Sequence, residues 1–328
     1  TPPRGATGGG GGVSYSRARR FTLVPPAGPP PASAMKPFIY SAALEKGFSP
    51  ATLVNDAPLL MTSAETGGQP WQPQNDDAVY DGPISLRTAL AQSKNVAAVR
   101  LLRAITPLYA HDFLPRFGFD PARHPVNYTL ALGTGSVTPV QMAGAYAVFA
   151  NGGFKIQPYL IQKVTDERGN VLFEAKPTPP AQESQRVLDA RNAFVTNSLL
   201  HQVTVSGTGS AATQRLGRQD LSGKTGTSSD AVDGWFAGYS GDTVAVAWMG
   251  FDEPQSLGGH EFGATLSLPI WMDYMRVALA GKPIYQMPQP SGLSLVQGDW
   301  VWDEFLDSGG VRTLDLDLPQ SPALISGR

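Results

Sequence analysis

The sequence predicts an α+β fold in which an antiparallel sheet is covered by helices. Three observations carry that expectation. Stretches with helix start and stop signals recur up to residue 205, and three short β-rich runs bounded by turns then follow one another between residues 221 and 251. The third is composition, because 41% apolar against 16% charged residues excludes a disordered chain or a coiled coil. At 328 residues the chain has the length of about two average domains or one large one.

Each element has a local reason. Pro37–Lys46 reads as a helix, with proline tolerated in its first turn and Gly47 at its C-terminal stop. Ser85–Gln92 and Val96–Ala104 read as two helical stretches interrupted at Ser93-Lys94-Asn95. Thr138-Pro139-Val140-Gln141 is a capping box with proline at the first helical position, and its helix ends at Asn151-Gly152-Gly153. Residues 189–205 form a further helix, closed near Gly207. Leu221–Thr227, Gly234–Tyr239 and Thr243–Phe251 then predict an antiparallel meander, and no internal repeat is visible.

The ends differ from the middle. Residues 1–32 hold the glycine run Gly8–Gly12 and the cluster Pro25, Pro26, Pro29, Pro30 and Pro31, a low-complexity composition expected to be poorly structured. Residues 33–287 are expected to form the functional domain. Residues 288–328 read as a C-terminal tail, rich in Pro, Gly, Ser and Asp, in which Trp300, Trp302, Phe305 and spaced leucines offer groups that could pack on a body.

Charge and cysteine count narrow the function. A net charge of −2 lacks the basic excess of a nucleic-acid groove or of a protein that binds anionic membranes, so no nucleic-acid partner is expected. The absence of cysteine excludes disulfides, thiolate metal sites and cysteine nucleophiles. His111, His124, His201 and His260 show no metal spacing, so neither metal nor cofactor is expected. No apolar run approaches the ~18 residues that span a bilayer, and no signal-peptide pattern opens the chain, which is expected to be a soluble fragment or a mature chain.

Three short motifs carry chemistry. Ser33-Ala34-Met35-Lys36 puts a hydroxyl and an amine on one face of a helix start, where a desolvated lysine can take the serine proton and backbone N–H groups point at a developing oxyanion. Taken alone, the pair is weak evidence, and a capping serine with a solvated lysine is the plainer reading. Ser93-Lys94-Asn95 lies at a helix break, so the hydroxyl can relay a proton and the amide can hold a peptide group, although a polar turn has the same composition. Lys224-Thr225-Gly226-Thr227 lies on a strand whose glycine admits close backbone approach and whose lysine and threonines can grip a carboxylate; an exposed edge strand is the plainer reading. No glycine-x-serine-x-glycine elbow appears. Trp235, Phe236 and Tyr239 suit a core strand as well as a cleft wall, and Asp230 and Asp233 suit a solvated loop.

Each motif occurs once, in the order serine-x-x-lysine, serine-x-asparagine, lysine-threonine-glycine, the set shared by penicillin-binding proteins and β-lactamases. The surroundings sharpen the match. Lys36-Pro37-Phe38-Ile39-Tyr40-Ser41-Ala42-Ala43-Leu44-Glu45-Lys46-Gly47, Val54-Asn55-Asp56-Ala57-Pro58, Ala131-Leu132-Gly133-Thr134-Gly135-Ser136-Val137-Thr138-Pro139, and Gly223 to Gly226 followed by Trp235-Phe236-Ala237-Gly238-Tyr239 closely resemble the transpeptidase domain of class A penicillin-binding proteins, over about residues 33–280. That resemblance implies the penicillin-binding protein transpeptidase or serine β-lactamase-like fold and a peptidoglycan cross-linking D,D-transpeptidase. Ser33 would be the nucleophile toward D-Ala-D-Ala and Lys36 its base, with Ser93 and Lys224 passing the proton to the leaving amine. Asn95 would bind the substrate amide, Thr225, Gly226 and Thr227 would line the carboxylate site, and the backbone N–H groups of Ser33 and Thr227 would form the oxyanion hole. The implied partners are peptidoglycan stem peptides, as donor and amine acceptor, and β-lactam antibiotics, at the extracytoplasmic face of a bacterial inner membrane. Class A members run from a membrane helix through a glycosyltransferase domain, so any membrane attachment is expected through a segment outside this chain.

The approach to the nucleophile departs from the family. An apolar strand and an Arg-Gln-Pro-Gly-Ser type lead-in are replaced by glycines and Pro29-Pro30-Pro31-Ala32, although Tyr15-Ser16-Arg17-Ala18-Arg19 keeps a trace of the pattern and position 34 is alanine. A core strand is therefore expected to be missing or malformed, with slower acylation of Ser33. Two other functions fit the same motifs. A β-lactamase would hydrolyse the acyl-enzyme, but no glutamate here is followed four residues later by asparagine, the class A pattern for positioning the deacylating water. A catalytically impaired peptidoglycan or β-lactam-binding module would bind without forming a covalent adduct.

Overall fold

The computed structural model describes residues 28–316 apart from 177–182, 252 and 260. Its α+β architecture is the expected one. The meander pairs Ser222–Thr227 with Gly234–Ser240 and the latter with Thr243–Met249, all antiparallel, in registers from Ser222 opposite Tyr239 to Thr227 opposite Gly234. Every residue of the central strand is buried, because both faces of the sheet are covered. Trp235, Ala237 and Tyr239 join one core with helices Pro139–Ala150 and Ala190–Ser206, whereas Phe236 joins another beneath helix Ser267–Ala278 through Trp271 and Met275. The run Gly234–Ser240 therefore reads as nearly continuous apolar sequence instead of alternating.

The first helix, Lys36–Leu44, is buried at all nine positions. A helix apolar around its whole circumference belongs in the interior. Phe38 is its anchor, with its ring centroid 4.8–5.5 Å from those of Phe117, Phe119, Tyr146 and Phe149; burial of one such side chain stabilises by about 1.5–3 kcal/mol. The expected capping box holds, since Thr138 and Gln141 bond each other's backbone N–H at 2.9 and 3.2 Å. Helices Leu86–Ala91 and Asn95–Ile105 are separated at Ser93 and Lys94 as the sequence predicts.

The fold adds detail at both ends. Residues 28–32 are packed, which corrects the expectation of poor structure at that end of 1–32; residues 1–27, and with them the expected missing strand, lie outside the described residues. Proline has no N–H to satisfy, and here each proline carbonyl finds a donor: Pro29 O accepts from Val137 N, Pro30 O from Trp235 Nε1 and Pro31 O from Ala34 N, at 3.2, 2.9 and 3.1 Å. Much of the C-terminal region also belongs to the body. Hairpin Leu293–Val296/Asp299–Trp302 buries Trp302 against Leu44 and Val195, and Thr313–Leu314 adds a parallel strand to Leu53–Asp56, which pairs on its other edge with Gly82–Ser85.

Candidate active site

Ser33 lies on the 3-10 turn Ala32–Met35, which runs straight into the helix opened by Lys36. The turn is held from several sides. Tyr146 donates its hydroxyl to Ala34 O at 2.9 Å, and Ala32 N donates to Gly133 O at 3.2 Å. Gly133, at φ +71°, comes so close that a Cβ there would stand 2.1 Å from Ala32 O. Ser33 itself is 7% exposed and makes no side-chain hydrogen bond among the described residues.

The second and third motifs converge on Lys36. Its Nζ lies 2.6 Å from Ser93 O, 2.7 Å from Asn95 Oδ1 and 3.3 Å from Ser93 Oγ. Lys224 Nζ, reaching in from the sheet, donates to Ser93 Oγ at 2.8 Å and to Thr225 O at 3.0 Å. One serine hydroxyl thus joins two buried lysines. Ser93 achieves this because the helix break holds its backbone at φ +60°, turning carbonyl and hydroxyl together toward Lys36; a left-handed non-glycine residue costs about 1–2 kcal/mol and persists only where its surroundings hold it.

Burial sets the proton affinities. It lowers Lys36 to about 7, with the Asp76 carboxylate opposing the shift. Lys224 is held well below the ordinary lysine value, first by burial and then by the charge on Lys36. Because Ser93 O and Asn95 Oδ1 can only accept, they occupy two N–H bonds of Lys36, and in the neutral amine the lone pair is left for a hydroxyl.

Asn95 and Gly226 stand differently from the substrate-binding roles that the family implies. Asn95 spends both amide hydrogens within the protein, on Gln74 O at 3.0 Å and Asp76 Oδ1 at 2.8 Å, while its oxygen faces Lys36. Gly226 makes room for the chain itself: a Cβ there would meet Pro31 O at 2.6 Å and Ala34 N at 3.0 Å. Gly226→Ala is therefore expected to push the strand off the Ser33 turn and slow acylation about a hundredfold, the order of loss from a displacement of about 1 Å. Stopped-flow rates with a chromogenic cephalosporin, beside circular dichroism to verify folding, check this.

Thr225 and Thr227 occupy the edge strand. Thr227 Oγ1 accepts from Gly263 N at 3.0 Å, which leaves its O–H to donate. Thr225 Oγ1 lies 2.6 Å from Thr208 Oγ1, and of two bonded hydroxyls one proton remains for a ligand. Thr208 went unnoticed in the sequence; its flanking glycines, Gly207 and Gly209, were the available signal. A cavity of about 430 Å³ opens beside it, lined by Asp77, Val79, Asp81, Gln92 and Lys94 among others. Asn75 also went unnoticed, and its Oδ1 accepts from Asn95 N and Val96 N, capping from another segment a helix whose own cap residue, Lys94, makes no capping bond. No group of His, Cys, Asp and Glu suited to a metal ion occurs among the described residues.

His124 bears on the loop that clamps Ala32. Both its ring nitrogens are buried without partners among the described residues, and Gly135 lies so close that a Cβ would stand 1.9 Å from Nδ1. Burial, with His111 adding to it, lowers His124 from 6.5 to about 4. The unfolded chain binds the extra proton first as pH falls, so stability decreases from pH 6.5 toward 4. Thermal melts at pH 7 and pH about 5 are expected to differ less for His124→Leu than for the unaltered chain.

Comparison with known proteins agrees with this geometry. Residues 28–270 match the penicillin binding protein transpeptidase domain family. Penicillin-binding protein 1A of Neisseria lactamica is 41% identical over 288 residues, covering 85% of this chain and 36% of that protein. The Pseudomonas aeruginosa protein of the same name is 40% identical over 316 residues, covering 83% and 38%. The crystal structure of penicillin-binding protein 1A from Haemophilus influenzae superposes with a TM-score of 0.75 at 35% identity, over 81% of this chain and 44% of that one. PonA1 from Mycobacterium tuberculosis in complex with penicillin V gives a TM-score of 0.65 at 25% identity, over 81% and 73%. The chain spans little more than a third of the length of the curated relatives it matches. Its sequence, its fold and the meeting of its three motifs agree: the chain belongs to the penicillin-binding protein transpeptidase family.

Proposed function

We propose that the chain is a serine D,D-transpeptidase that cross-links peptidoglycan stem peptides and is acylated by β-lactams. The carrying observation is the single hydroxyl of Ser93 shared by Lys36 and Lys224, with Ser33 one helical turn from Lys36. Neutral Lys36 takes the Ser33 proton as Oγ attacks the carbonyl of the D-Ala-D-Ala bond. The tetrahedral oxyanion is bound by the backbone N–H groups of Ser33 and Thr227. The proton passes through Ser93, polarised by Lys224, to the leaving D-alanine amine, which departs as the acyl-enzyme forms. An amine of a neighbouring stem peptide then attacks that ester, giving the cross-link and returning the hydroxyl to Ser33. Thr225 and Thr227 hold the terminal carboxylate of the donor or of a β-lactam; a substrate that takes Asn95 Nδ2 replaces Gln74 O or Asp76 as acceptor. These chemistries suit a chain at the extracytoplasmic face of a bacterial membrane; no helix among the described residues is long and apolar enough to cross one.

Intact-mass measurement after treatment with benzylpenicillin tests this. One adduct on Ser33 that persists for hours is expected. Rapid loss of the adduct would indicate a β-lactamase, and binding without any adduct would indicate a non-catalytic module.

A further inference from the structure

We propose that Asp76 is a positioning residue for Lys36, acting through the Asn95 amide; this matters to the chemistry only if Lys36 is the base, so it rests on the function proposed above. Four consecutive residues form a strap across the helix break. Gln74 O accepts from Asn95 Nδ2, Asn75 Oδ1 accepts from Asn95 N and Val96 N, Asp76 Oδ1 accepts from Asn95 Nδ2, and Asp77 Oδ2 accepts from Lys94 Nζ. Only Asp76 combines a contact to the Asn95 side chain with a charge. A carboxylate and a carbonyl on Nδ2 fix which way the amide faces, so the amide oxygen is presented to Lys36 at 2.7 Å.

The charges facing Lys36 are few. Lys224 faces it from the sheet and is itself disfavoured as a cation by the Lys36 charge, whereas Asp76 from the strap favours the proton on both lysines. Ser93 and Asn95 are uncharged, and Lys94 in the same break turns away to Asp56, Asp77 and Asp81. On its own helix Tyr40 is buried with its hydroxyl pushed up, and from helix Pro139–Ala150 Tyr146 is likewise held neutral. Asp76 is thus the negative charge set against two lysines, and it lies on the exposed side of the site.

Asp76→Asn separates charge from contact, because its amide oxygen still accepts from Asn95. The acylation rate of Ser33 by a fluorescent penicillin is measured from about pH 5.5 to 9. The acid-side midpoint of the variant is expected about half a unit lower, the effect of one solvent-screened charge a few ångströms away. Asp76→Ala is expected to show the same displacement and a plateau about tenfold lower, because the amide loses its anchor. Asp77→Asn, on the same strap but bonded to Lys94, is expected to lower the melting temperature without moving the midpoint. An Asp76→Asn midpoint and an Asp76→Ala plateau both equal to those of the unaltered chain overturn the role of Asp76 alone, whereas an unaltered chain that forms no adduct removes the function and the inference together.

Discussion

Lys36→Met is expected to slow acylation of Ser33 by about 10²–10⁴-fold, the contribution of a positioned general base. Lys36 is fully buried at the start of the first helix, and its lowered affinity leaves a substantial neutral fraction near pH 7. The unaltered chain should therefore lose activity as pH falls through about 7, because the protonated amine cannot accept from Ser33. Methionine fills the same apolar volume without a base. It leaves Ser93 O and Asn95 Oδ1 short of a donor, costing about 1–3 kcal/mol each, but it also ends the burial of an amine. Folding is expected to survive, and a thermal melt checks that. Lys36→Arg should not rescue the rate, because a guanidinium stays charged at every accessible pH. The measurement is the rate of adduct formation with a fluorescent penicillin, with Ser33→Ala setting the zero. A Lys36→Met rate within tenfold of the unaltered chain would transfer the base to another group, with Lys224, bonded to the same Ser93 hydroxyl, the next candidate.

Much of this site could be read from the sequence because each motif is local. Ser33 and Lys36 share one turn, Ser93 and Asn95 one helix break, and Thr225 and Thr227 one strand face, so spacing alone fixes their relative placement. What spacing cannot give is contact between distant segments. Asn75 and Asp76 act on Asn95 across 20 and 19 residues, and Thr208 meets Thr225 across 17, without a periodic pattern to mark any of them. The same holds for the fold. The long helices and the meander carry caps, periodicity and turn residues, whereas Leu53–Asp56, Gly82–Ser85 and Thr313–Leu314 are two to four residues long, too short for alternation to register. Helix Ser267–Ala278 was hidden by its proline, which at the third helical position is compatible with helix because the first-turn N–H groups have no intrahelical partner. Pro29–Pro31 misled in the opposite direction: a proline run looks unstructured, yet its carbonyls are fixed by Val137, Trp235 and Ala34.

Lys94→Met is expected to lower stability by about 3 kcal/mol, the lower end of what breaking a buried ion pair costs. Lys94 is 3% exposed and meets three carboxylates: Asp81 Oδ2 at 2.8 Å, Asp77 Oδ2 at 2.9 Å and Asp56 Oδ2 at 3.7 Å. Asp77 and Asp81 reach solvent and can be rehydrated, but Asp56 is wholly buried, supported otherwise by Asn75 Nδ2 and Asp81 N. Removing the lysine leaves that charge without a counterion in the interior, beside two others of like sign. Burial alone would lower the Lys94 affinity, yet hydrogen bonds to Asp81 and Asp77 raise it, so the group is charged at neutral pH and its contribution fades only as pH rises above 10.5. The melting temperature is expected to fall by about 5–10 °C for a domain of this size. Lys94→Met combined with Asp56→Asn should recover part of the loss, since the buried charge is then gone, and the double-mutant cycle measures the coupling directly. Acylation should fall as well, because Lys94 fixes the break that holds Ser93 in its left-handed conformation and sets the Ser93 and Asn95 oxygens on Lys36. A Lys94→Met protein that melts within about 1 °C of the unaltered chain would show that solvent reaches Asp56, and that the strap, not the ion cluster, holds the break.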